Sequence, residues 1–130
     1  MKIPITRAIG VDLIRVDRIA ALLAKPSGTR FLQRVLHPSE RSAASKLNAQ
    51  NCATYVAGCW ATKEAIFKSL PAVEQHSFQF NRWYRFLDNG RPIIGSEVPH
   101  SDEFLLSISH DDGILVATVL RQEYIDIRAT

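Results

Sequence analysis

The chain has 130 residues, 46% apolar and 22% charged, with two cysteines and a net charge of +3. Such a composition fits one globular domain over residues 1–130 and excludes a disordered chain or a disulfide scaffold. No apolar run approaches the roughly 18 residues of a membrane-spanning helix, so no membrane partner is expected. The charge is uneven: residues 1–50 carry nine Lys/Arg against three acids and residues 51–130 seven against ten, so a partner of negative sign is expected on the N-terminal segments. The opening MKIPITRAIGVDLI has neither a secretory cleavage site nor an Arg/Ser-rich leader, which points to the cytoplasm, or to the mitochondrial matrix if a leader has been removed.

A short strand is expected over residues 5–11. From Asp12 the pattern changes: Leu13, Val16, Ala20 and Leu23 recur at helical spacing, with Arg15, Arg18 and Lys25 on the opposite side, so the spacing predicts a helix to about residue 24 with a basic outer face. PSG at 26–28 ends it. FLQRVL is a second helical piece, and in HPSERSAASKL Ser39 is placed to cap a third helix with Pro38 just outside. After the NAQN loop a helix is predicted over 52–70, closed by Pro71. On it Val56, Trp60, Lys63, Phe67 and Leu70 form one stripe. Cys52 and Cys59 are seven residues apart on that helix, about 10 Å along its axis, too far for a disulfide.

From Phe78 the period switches to two, and Asp88-Asn89-Gly90 supplies the positive backbone angles of a hairpin. FLLSIS (104–109) and ILVATVL (114–120) make a second pair around the HDDG turn. Helices in the first half and antiparallel strands in the second predict an α+β fold, with N-terminal helices packed on an antiparallel sheet.

Three stretches carry chemistry. In GVDLIRVDRI, Asp12 sits at the expected strand–helix junction, either as a helix N-cap or as an oxygen ligand for a cation. In TKEAIFK, Glu64 and Lys68 are spaced for an i to i+4 ion pair, but Trp60 and Phe67 border Glu64, and a carboxylate beside apolar rings calls for a cation. In FLLSISHDDG, His110 ends a strand, where a lone histidine is more often a surface or satisfied residue than a functional one. Ser109, His110 and Asp111 do not form a hydrolase triad, because neighbours on a strand point to opposite faces.

GVDL with an arginine-bearing helix, then W-x-x-K-E-A-x-x-K, then GRP after a hairpin, then S-x-S-H, together resemble the 4′-phosphopantetheinyl transferases of the holo-acyl-carrier-protein synthase type, over roughly residues 8–121. The resemblance implies transfer of the phosphopantetheine arm of coenzyme A to a serine of apo acyl carrier protein. It implies a magnesium ion held by Asp12 and Glu64, and Lys68 approaching a phosphate. It also implies coenzyme A contacts from Arg91, Pro92, Ser109 and His110. Lys63, its stem lying along apolar surface, is expected to reach past the stripe to phosphate. Arg15 and Arg18, placed on the first helix, are the candidates for docking the acidic carrier. Ile14 stands where the two-repeat class carries a third acidic ligand, so the chain is like the short, single-lobe class, for which a homotrimer is expected. The rival reading is a non-catalytic basic module binding RNA or an acidic protein. For nucleic acid, aromatics interleaved with a basic stripe would be expected, whereas here they cluster in the strands and near Glu64.

Overall fold

The computed structural model describes residues 1–128. Strand β1 (Lys2–Arg15) leads into helices α1 (Val16–Ala24), α2 (Gly28–Val35), α3 (Pro38–Ser45) and α4 (Ala49–Ser69) and a short helical turn α5 (Ala72–Gln75). Strands β2 (Trp83–Asp88), β3 (Arg91–Ser96), β4 (Glu103–Asp111) and β5 (Ile114–Asp126) follow. The strands form one antiparallel sheet in the order β1-β5-β4-β3-β2, with the helices packed on it, so the α+β expectation holds.

The 21-residue α4 is about 31 Å long and lies across the sheet as the centre of the core. Ala53, Ala57, Gly58, Ala61 and Ala65 on it are buried, and small residues let the helix approach closely. The closest approach is at Gly10: a Cβ there would stand 1.8 Å from the Ala65 carbonyl oxygen, so no side chain fits. The opposing inner face of the sheet is Ile14, Leu115, Ala117 and Val119, in register as Gly10↔Val119, Asp12↔Ala117 and Ile14↔Leu115.

Several boundaries differ from the sequence expectations. β1 does not stop at residue 11; it pairs with β5 through Arg15, because Ile9, Val11 and Leu13 alternate with Gly10, Asp12 and Ile14 across its two faces. Asp12 is therefore a mid-strand residue and not a helix cap. Arg15 ends β1 with extended backbone, so it is not on α1, which starts at Val16 and is tied by a 2.8 Å bond from its amide to the Gly113 carbonyl. Ser39 does not cap α3. His37 does, its Nδ1 accepting from the Ser39 amide while Glu40 Oε1 accepts from the His37 amide, with Pro38 inside the first turn. α4 begins within NAQN, capped by the Asn48 side chain at 2.9 Å from the Asn51 amide. Phe78 and Phe80 precede the first hairpin strand; their rings pack on Trp83 and Trp60. Both hairpin turns have two consecutive residues with positive φ, Asn89-Gly90 and Asp112-Gly113, the geometry that matches strand twist.

Candidate active site

The parity of β1 turns Asp12 toward α4, and the absence of a side chain at Gly10 brings that helix within reach. Two turns of α4 then meet Asp12. Lys68 Nζ donates to Asp12 Oδ1 at 3.1 Å and to the Val11 carbonyl at 3.0 Å. Glu64 lies one turn earlier, and its carboxyl is held above the ordinary carboxylate range by burial first and then by the charge of Asp12, with Lys68 and Arg18 pulling the other way. Residues from β1, α1 and α4, far apart in the chain, thus form one polar cluster. The Asp12 side chain is 14% exposed and that of Lys68 47%, so the cluster opens to solvent on the lysine side.

Two carboxylates whose charges oppose each other in a partly buried place form a donor set suited to a divalent cation. Among the described residues no group of three or more His, Cys, Asp or Glu converges as a metal cage. Two carboxylates with the remaining ligands from water and substrate phosphate is the pattern magnesium takes, in contrast to dedicated protein cages.

Lys63 does not reach past the apolar stripe to phosphate, as the sequence suggests: Nζ is buried, paired with Glu40 Oε1 and bonded to the Val35 carbonyl at 2.6 Å. Lys63 and Glu40 are each 1% exposed, and burial, the largest influence, pulls the Lys63 pKa down while Glu40 opposes it. The pair joins α3 to α4, and Glu40 Oε2 also accepts the Arg85 amide of edge strand β2 at 2.9 Å. This lysine holds the fold together and cannot meet a phosphate.

The residues expected around coenzyme A divide. Pro92 and His110 line a cavity of about 560 Å³ together with Thr54, Tyr55, Arg85 and Ile108. Arg91 is exposed at the start of β3. Ser109 is on the opposite face of β4 from His110, pairing with Val116 on the outer side. The cavity sits against the first turns of α4 as far as Gly58, whereas Glu64 and Lys68 are near its end; six residues from Gly58 to Glu64 are about 9 Å of helix. One chain therefore brings Asp12, Glu64, Lys68 and Arg18 together and gathers Pro92 and His110 elsewhere, without joining the two groups.

Arg85 escaped the sequence reading. It occupies an inward position of β2 between Trp83 and Leu87, and its guanidinium lies 4.8 Å over the Tyr55 ring. The signal was an arginine in the alternation of a strand whose other inward residues are apolar.

The profile of the 4′-phosphopantetheinyl transferase superfamily matches residues 8–119, and the chain belongs to that family. It is 33% identical to a mitochondrial holo-[acyl-carrier-protein] synthase of Eremothecium gossypii, over 85% of this chain and 76% of the relative. It is 34% identical to a holo-[acyl-carrier-protein] synthase of Wolinella succinogenes, over 88% of this chain and 97% of the relative. Its fold is similar to a crystal structure of a Bacillus anthracis holo-(acyl-carrier-protein) synthase in complex with CoA (3′,5′-ADP). That match has a TM-score of 0.76 and 28% identity, covering 91% of this chain and 97% of that one.

Proposed function

We propose that this chain is a holo-acyl-carrier-protein synthase. It transfers the 4′-phosphopantetheine group of coenzyme A to a serine hydroxyl of apo acyl carrier protein and releases adenosine 3′,5′-bisphosphate. The observation that carries the reading is the meeting of Asp12, Glu64 and Lys68 at one point of a chain that belongs to this family.

In the transfer the serine oxygen bonds to the phosphorus that bears the pantetheine arm, and the bond from that phosphorus to the bridging pyrophosphate oxygen breaks. Such a step asks the protein for positioning and charge neutralisation more than for a covalent nucleophile. Asp12 and Glu64 would hold the magnesium ion, which when bound supplies positive charge to the pyrophosphate. Lys68 spends two N–H groups on Val11 and Asp12, and a third is left for a phosphate oxygen. Its bond to Asp12 also fixes that carboxylate toward α4. Arg18 adds a cation whose charge is felt at Glu64. Arg15 and Arg18 are both exposed and line one surface pocket, and they suit docking of an acidic carrier, where charge governs encounter and register.

The active assembly we infer is a homotrimer with sites shared between copies. Two observations support it. Ile9 and Leu13 project from the outer sheet face at 61% and 67% exposure beside Leu105, an apolar surface of the kind that marks association. The acid cluster and the His110 cavity lie on different stretches of α4, an arrangement in which a neighbouring copy can complete either one. Among the described residues no helix is long and apolar enough to cross a membrane, and we infer action in the cytoplasm or a mitochondrial matrix.

The test is mass spectrometry of apo acyl carrier protein incubated with the chain, coenzyme A and magnesium. The carrier is expected to gain the phosphopantetheine mass, and a carrier with its acceptor serine replaced by alanine is not. A carrier of unchanged mass would leave the chain a binding module.

A further inference from the structure

The end of α4 carries both Glu64 and Lys68, and it stops without a left-handed closure. Leu70 and Pro71 after it are extended, with φ of −86° and −61°. No residue there folds the chain back over the last carbonyls, and Pro71 has no amide hydrogen to offer them. Those carbonyls have to find other donors. The Ile66 carbonyl accepts from the Ser69 hydroxyl at 2.7 Å, and the Phe67 carbonyl from the Gln75 side chain at 2.8 Å and the Leu70 amide at 3.2 Å. These donors lie on the same stretch of chain, so they close the turn without fixing where it sits on the sheet. The Ser69 carbonyl differs. Its donor is Nε of Arg121 at 2.7 Å, fifty-two residues away on β5.

Arg121 follows Leu115, Ala117 and Val119 in the alternation of β5, the positions that face α4, and it is the cation at the end of that apolar row. Its Nη1 donates to Asp102 Oδ2 at 3.0 Å, and the two side chains are 12% and 17% exposed. Asp102, just before β4, thereby orients the guanidinium plane, and a cation suits the negative end of the helix dipole. Ser69 is also where α4 presses on β1: a Cβ on Gly10 would stand 3.2 Å from the Ser69 amide nitrogen. The bare Gly10 sets how near the helix comes, and Arg121 sets how it is turned and how far it slides.

We propose that Arg121, oriented by Asp102, is the positioning residue of the acid cluster: by holding the Ser69 carbonyl it fixes Lys68 and Glu64 at the end of α4 against Asp12 on β1. The inference rests on the transferase reading, in which that cluster serves the pyrophosphate. Arg121 acts through the helix and not on the substrate, since Nε and Nη1 are taken by Ser69 and Asp102. The contact at stake is the adjacent one, from Lys68 Nζ to Asp12 Oδ1 at 3.1 Å. A shift of about 1 Å in such an arrangement is enough to slow a positioning-dependent step about 100-fold. The cavity at the first turns of α4 is lined without Arg121, so its loss enters kcat and leaves KM for coenzyme A in place.

The experiment measures kcat and KM for coenzyme A, well below each melting temperature, for the full wild-type chain, Arg121→Met, Arg121→Lys, Asp102→Asn and the double variant of Arg121→Met with Asp102→Asn. Arg7→Met is the control, because Arg7 makes a half-exposed pair with Glu123 at 2.9 Å that joins β1 to β5. Hydrogen exchange of the α4 amides accompanies the kinetics. Arg121→Met is expected to lower kcat about 10- to 100-fold with KM within about twofold. Exchange of the amides of residues 66–70 rises about tenfold, the worth of a charge-assisted bond, while those of 52–58 keep the wild-type rate. Arg121→Lys keeps a donor but loses the rigid fork, and falls between. Asp102→Asn lowers kcat less and adds nothing in the double variant, because Asp102 acts through Arg121. Arg7→Met keeps the wild-type kcat, and an equal fall there overturns the assignment. Wild-type kcat in Arg121→Met also overturns it, as does a fall in kcat with exchange raised equally along all of α4, which is lost stability without lost position. If Arg121→Met does not fold, Arg121→Lys decides: a lowered kcat with faster exchange confined to 66–70 upholds the assignment, and a wild-type value of either overturns it. If the wild type transfers nothing, the transferase reading fails. The positioning role of Arg121 is then judged on exchange alone, upheld by a rise confined to 66–70 in Arg121→Met and overturned by its absence.

Discussion

Replacing Gly10 by alanine tests the joint between sheet and helix on which the acid cluster depends. The new Cβ would be 1.8 Å from the Ala65 carbonyl oxygen and 2.8 Å from its carbon. Real Cβ contacts begin near 3.0 Å, so β1 and α4 must separate by at least about 1.2 Å. Both sides of the clash are backbone within the core, and neither can swing away as a side-chain tip would. Overpacking of this kind costs about 3 kcal/mol, which for a domain of this size lowers the melting temperature by roughly 10 °C. The functional loss is separate from the stability loss, because the same separation stretches the 3.1 Å contact from Lys68 to Asp12 and parts Asp12 from Glu64. Transfer measured well below the melting temperature of the variant is expected to fall at least tenfold, since misplacement by about 1 Å is enough to cost that much or more. A Gly10→Ala protein with wild-type melting and wild-type transfer would refute the close approach and with it the geometry of the site.

Lys63→Met leaves Glu40 buried without its cation and is expected to cost about 3–5 kcal/mol in denaturant unfolding. Lys68→Met, at a half-exposed amine, costs under about 1 kcal/mol yet lowers transfer about a hundredfold. Because the folded Glu64 carboxyl is raised above its ordinary range, the folded chain holds a proton that the unfolded chain has released in the window between the two values. Stability without divalent ions therefore falls as pH rises through that window. Glu64→Gln flattens this dependence, and magnesium raises the neutral-pH melting temperature of the wild type but not of the variant. Leu13→Glu, on the outer sheet face, is expected to give a monomer in sedimentation that melts close to the wild-type chain in isolation and transfers nothing. A variant that stays associated and active would detach the outer face from assembly.

Much of the fold was legible because its signals are local. The Asn89-Gly90 and Asp112-Gly113 turns declare their hairpins through backbone angles that few other pairs adopt. The start of α1 was misread because Leu13 and Val16 satisfy a helical spacing as well as they satisfy strand alternation, and only pairing with β5 decides between them. Lys63 was misread for a deeper reason. A lysine in an apolar stripe needs an anion, and its partner Glu40 is twenty-three residues away on another helix, a juxtaposition that no periodicity encodes. The acid cluster was found through family motifs, and the structure adds why G-x-D has its glycine: Gly10 sets the distance at which Asp12 meets α4. Arg85 was passed over because alternation was read from the apolar residues alone, and a cation facing inward was counted with neither face.

The most direct measurement is the rate at which apo acyl carrier protein gains the phosphopantetheine mass in the presence of wild type, Asp12→Asn and Glu64→Gln, with circular dichroism recorded on each. Both variants are expected to keep the wild-type spectrum and to lose transfer by at least a hundredfold, the loss expected when one electrostatic partner of the reacting phosphates is removed. Full transfer by either variant would contradict the account.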